Sequence, residues 1–116
     1  MPEPSFPSGP PDTAAAAAPT NARYACEYLT ATIDQLASDD QFVNRAVASV
    51  QSSVDSALAA SAHDPAYTRL TNDAKAFLVE VVRQQVQRQI SGRVIEASKY
   101  PASYRGVVKA VEADCS

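Results

Sequence analysis

The sequence predicts an all-α protein: a small up-and-down helical bundle of about four helices behind a disordered Pro/Ala-rich N-terminal tail. Three observations carry this. Apolar residues from position 20 onward recur at intervals of three and four, and no stretch alternates as a strand would. Helix-breaking punctuation falls at "HDP", Gly92 and Pro101 and divides that pattern into segments. At 116 residues the chain suits one domain with one core.

Residues 1–19 read as the tail and residues 20–116 as the bundle domain. Six of the eight prolines precede residue 20. Proline removes backbone donors and fixes φ, and the run "AAAAA" is too short to hold a helix alone. The first helix is expected over about 20–37, with Ala22, Cys26, Leu29, Ile33 and Leu36 on one face. Ser38 with Gln41 three residues on forms a capping box, which starts a second helix over about 39–61. Val43, Val47, Val50, Val54, Ala57 and Ser61 follow one line of that helix, widened by Phe42, Ala46 and Leu58. Gln51, Ser52, Asp55 and Ala59 take the watery side.

In "AHDPA", Asp64 is a favoured N-cap and Pro65 suits the first helical position, where a missing N–H costs nothing. Thr71 is expected to open the longest helix, with Ala74, Phe77, Leu78, Val81, Val82, Val86 and Ile90 at helical spacing. Val79 extends the apolar belt around most of the circumference near "FLVEVV", as in a helix at a bundle centre or a subunit interface. Gly92 kinks or ends this helix, "RVIEASKY" resumes helical spacing, and Pro101 enforces a boundary. A last helix over about 101–114 presents Tyr104, Val107, Val108, Val111 and Cys115 on one side.

The apolar content leans on alanine and valine, with no tryptophan and three phenylalanines, so the core is expected to be built from small side chains. A net charge of −3 disfavours nucleic acid, and Arg83, Arg88 and Arg93 recur every five residues, which walks them around the helix. Residues 1–73 are acidic and residues 74–116 basic, as expected for halves that pack antiparallel and neutralise one another. No apolar run approaches the ~20 residues of a membrane span. Cys26 and Cys115 sit near the two ends of the domain, and an even count so placed favours a disulfide in an oxidising compartment. The expectation is a secreted or cell-envelope protein whose signal has been removed, with a cytoplasmic protein holding both thiols reduced as the alternative.

Chemistry is sparse. One histidine and two distant cysteines lack the paired spacing of structural zinc, and no Gly-x-Ser-x-Gly elbow or glycine-rich phosphate loop occurs. No catalytic residue, metal or cofactor is assigned. The order His63, Asp64, Tyr67 is similar to the active-site helix of secreted phospholipases A2. That resemblance implies a base at His63, a calcium ligand at Asp64 and a supporting role for Tyr67. It covers three residues, and Pro65 departs from that family's helical motif. The architecture also resembles the haem-scavenging helical proteins of some bacteria, in which tyrosine and histidine hold the iron. This implies Tyr24, Tyr28, His63 and Tyr67 as the lining of a site for haem or lipid. The leading expectation is a non-enzymatic helical interaction module, self-associating or partner-binding, with Phe77, Val79, Val82 and Val86 at its interface. A small-ligand carrier is the alternative, and a hydrolase at His63 and Asp64 the remote one.

Overall fold

A computed structural model describes residues 11–38, 43–92 and 100–116. Four helices run α1 (Pro11–Ser38), α2 (Val43–Ser61), α3 (Thr68–Ser91) and α4 (Ala102–Cys115), with a 3-10 turn at Pro65–Tyr67 between α2 and α3. No described residue lies in a strand. α1 packs along α2, α2 along α3 and α3 along α4, and α4 returns to α1. This is the expected up-and-down bundle.

α1 begins at Pro11, earlier than the expected boundary at residue 20, and carries Pro19 inside it. Pro19 cannot donate to the carbonyl of residue 15, but it lies on the exposed side, where water can take up the freed acceptor. The extension gains burial for Ala18. The rest of the expected tail, residues 1–10, lies outside the described residues. So do the helical spacing read in 93–99 and the capping box that crosses residues 39–42.

Small residues make the main seam. α1 buries Ala18, Ala22, Ala25, Leu29, Thr32 and Leu36, at alternating steps of four and three. α2 answers with Val43, Ala46, Val50, Ser53, Val54, Ala57 and Ala60. Such spacing on both partners is the pattern of shallow-angle packing, and alanine at the contact lets the backbones approach closely. The expected α1 line therefore splits in two: Ala22, Leu29 and Leu36 belong to the deep seam, while Cys26 and Ile33 are half-buried towards α4. Thr32 and Ser53 join the core because each hydroxyl donates to a carbonyl one turn back, Tyr28 at 2.7 Å and Ser49 at 3.0 Å.

The α2–α3 junction follows the local chemistry. Asp64 accepts from the Ala66 N–H at 2.9 Å, and Pro65 opens the 3-10 turn. The turn runs directly into α3 at Thr68, so Thr71 is an interior residue and not the expected start. Buried, it donates to the Ala57 carbonyl of α2 at 2.9 Å, within reach also of the Tyr67 carbonyl at 3.0 Å. α3 stops at Gly92, whose φ of 66° lies in the left-handed region and whose N–H donates to Arg88 O at 2.8 Å.

α4 is short and closes the bundle. Tyr104 packs against Phe77 with centroids 5.7 Å apart and meets Tyr100 edge-on at 4.7 Å. Burial, then the neighbouring Tyr100 hydroxyl, pushes the Tyr104 phenol well above the usual tyrosine range. Buried Glu80 of α3 accepts from Ser103 at 3.1 Å and from Arg83 at 3.3 Å. Cys26 and Cys115, Cα atoms 5.5 Å apart, form a disulfide that ties α4's last turn to α1.

Two measurements check this packing. Phe77→Ala is expected to cost about 3–5 kcal/mol in chemical denaturation, because the fully buried ring has no neighbour able to fill its place. Cys115→Ser opens a loop that joins residues 89 apart and is expected to cost about 2–5 kcal/mol, while thiol titration of the unreduced wild type finds no free cysteine even in denaturant.

Candidate functional site

One line of α3, residues Leu70, Ala74, Phe77, Val81 and Gln84, faces the core. At 100° per residue, Val79, Val82, Val86 and Ile90 point the other way. They are 54, 37, 44 and 76 % exposed. Four aliphatic side chains thus form a continuous stripe on the outside of the bundle. Lys75 and Arg83 are exposed on the same face, and the Arg83 guanidinium also reaches back to Glu80.

The structure redistributes the expected interface residues. Val79, Val82 and Val86 lie on this outer stripe. Phe77 does not: it is fully buried against Tyr104 and cannot meet a partner in the folded chain. Ile90 joins the stripe, about 220° around the helix from buried Phe77 and one turn beyond Val86. The inner line includes two polar residues, buried Glu80, which accepts from Ser103 of α4, and buried Gln84. An eleven-residue step from Val79 to Ile90 completes about three turns, and this was the sequence signal for the stripe.

The four candidate ligand residues are not brought to one place. Tyr24 and Tyr28 stand 48 and 51 % exposed on the outer side of α1. His63 is exposed in the turn after α2, and the Asp64 carboxylate is engaged with the Ala66 N–H. Tyr67 alone meets a cavity, a recess of about 390 Å³ between α1, the start of α3 and the end of α4, with Ala22, Arg23, Leu70 and Asp114 in its wall. A second recess of about 300 Å³ lies between α1 and α4, over Ile33, Ala37 and Val108 and beside Arg105 and Lys109. His63 lines neither of these. Among the described residues no group of three or more His, Cys, Asp or Glu side chains could hold a metal ion, and no helix is long and apolar enough to cross a membrane.

The first recess holds a feature the sequence did not flag. Asp114, in α4's last turn, meets Asp73 of α3, and Arg69 Nε lies 3.3 Å from Asp114 Oδ1. Each aspartate has one buried Oδ2 with no donor in reach. A protonated Asp114 carboxyl can donate to the Asp73 carboxylate beside it. Burial, then the hydrogen bond and negative charge of Asp73, raises Asp114 to about 6, against the smaller pull of Arg69 in the other direction. Residues far apart in sequence build the pair, so no local motif announces it.

No known protein family, no curated protein and no solved structure matches this chain.

The aspartate pair sets a pH dependence. Asp114 binds its proton more tightly in the folded chain than in the unfolded one, so the stabilisation is complete below pH ~4 and is lost as pH rises through about 6. Unfolding free energy is expected to fall across that window, by less than the ~1.4 kcal/mol per pKa unit of a fully shielded group, because solvent screens part of the interaction. Asp73→Asn, which donates an N–H and removes a charge, is expected to flatten the slope in denaturant titrations at pH 4, 5, 6 and 7.

Proposed function

We propose that this chain is a non-enzymatic helical binding module whose recognition surface is the outer face of α3. One observation carries the reading: a single side of α3 exposes Val79, Val82, Val86 and Ile90 in a row while the other side is a packed core. Scattered exposed apolar residues are ordinary on a protein surface, but a contiguous line of four aliphatic side chains is the usual mark of a contact surface. Lys75 and Arg83 beside the stripe favour a partner that brings acidic groups to apolar ones. The Cys26–Cys115 bond supports an oxidising setting, and we place the protein outside the reducing cytosol, secreted or in the cell envelope. The exposed His63 and the capping role of Asp64 favour a structural turn over a hydrolytic pair, so His63→Ala is expected to leave folding and association unchanged.

Sedimentation velocity from about 10 μM to 1 mM tests the surface, since weak contacts of small area associate only at high concentration. The wild type is expected to sediment faster as concentration rises. Val82→Asp/Val86→Asp is expected to stay monomeric and folded, because both side chains are partly in water. Association that survives this double substitution overturns the α3 reading.

A further inference from the structure

The same structure offers a counterpart to the α3 stripe on the opposite side of the molecule. Tyr24 and Tyr28, half exposed and one turn apart, form an aromatic patch on the outer face of α1 with exposed Ala31 between them and Gln35. Glu27 and Asp34 flank it, the latter also making contacts within its own chain, and exposed Arg23 is the one base beside them, so the patch is net acidic. The α3 stripe has the complementary arrangement, aliphatic and flanked by bases. At 1.5 Å per residue, Glu27 and Asp34 are about 10 Å apart along α1 and Lys75 and Arg83 about 12 Å apart along α3. The charges of the two faces can therefore be paired without moving the apolar residues out of contact. Tyrosine is also a favoured contact residue, with a large ring that loses little conformational entropy when covered.

We infer that the occupant of the α3 face is the α1 face of a second copy of this chain. The inference rests on the reading of α3 as a binding surface and adds the identity of what binds there. A contact between two α3 faces sets Lys75 and Arg83 against the same residues of the other copy, whereas α1 offers charges of the opposite sign. α1 and α3 each pack on α2 and α4 and occupy opposite corners of the bundle, so their outer faces look in opposite directions. One chain cannot satisfy its own pair of faces. A head-to-tail contact of this kind leaves a free α1 face and a free α3 face on every dimer, so the assembly grows to a ring or an open series.

Two surface variants test this. Tyr24→Lys/Tyr28→Lys places positive charge against Lys75 and Arg83, and Val82→Asp/Val86→Asp places negative charge against Glu27 and Asp34. All four positions are exposed, and circular-dichroism melts confirm that each variant is folded. Each variant alone is expected to associate at least about tenfold more weakly than the wild type, and raising salt from about 50 to 500 mM is expected to weaken the wild type, because exposed charges are screened. Mixed in equal amounts, the two variants retain one intact face each, and sedimentation is expected to show dimers and nothing larger. If only the α3 variant loses association and the mixture forms no dimer, α3 meets something other than α1, which overturns this inference and leaves the α3 surface standing. If the wild type is monomeric throughout, or if only the α1 variant loses association, the inference falls together with the α3 self-contact.

Discussion

The Cys26–Cys115 bond joins the middle of α1 to the last turn of α4, and the fourth helix depends on it more than the other three do. α1, α2 and α3 are long and meet along extended lines of alanine, valine and leucine. α4 has fourteen residues and buries Tyr104 and Val111 deeply. At its first turn it is held by the Phe77, Tyr100 and Tyr104 rings and by Ser103 on Glu80. At its last turn the polar contacts are Arg69 on Asp114 and the aspartate pair, which weakens when both carboxyls ionise. The covalent tie keeps that end in place whatever the protonation of Asp73 and Asp114. A core of small side chains gains limited apolar burial per residue, and a cross-link that restricts the unfolded chain offsets part of the deficit.

Much of this was legible in the sequence because it is local. Pro65 after Asp64, Gly92 after a long periodic run, and Pro101 before an apolar stripe each mark a boundary through the backbone geometry they permit, and the helices end and begin there. The bonded pair Cys26 and Cys115 was legible from position and parity. What escaped was set by tertiary contacts. Thr71 read as the opening residue of a helix, and nothing in the periodicity singled out Thr32 or Ser53, yet each lies in the core because its hydroxyl finds a backbone carbonyl. Glu80 and Gln84 put polar groups on the buried side of α3, Glu80 against a hydroxyl of α4, while the helical repeat carries Val86 and Ile90 to the far side. The early start of α1 was hidden by Pro19, whose ring is tolerated on an exposed side of a helix.

The charge pattern was read as halves that neutralise one another by packing. Of the two ion pairs, Arg69–Asp114 joins the first half to the second across α3 and α4, and Glu80–Arg83 lies within α3. On the outer side of α3, Lys75 is exposed on the face of the exposed valines, and Arg83 lies there too while it reaches back to Glu80. The tyrosines that suggested a ligand pocket prove to divide by position. Tyr100 and Tyr104 build the core, Tyr67 borders a recess, and Tyr24 and Tyr28 look into solvent. A sequence count treats these five as one resource, whereas the fold assigns them to three environments with different chemistry.

The disulfide also changes what kind of object the chain is. From Cys26 to Cys115 the polypeptide is a closed ring that takes in half of α1 and all of α2, α3 and α4, with the first half of α1 as a handle outside it. A single backbone cut anywhere inside that ring leaves every helix covalently attached to the others. The nicked molecule keeps its mass under non-reducing conditions and separates into fragments only when the bond is reduced. Proteolytic damage between helices is therefore an opening of a ring and not a loss of parts.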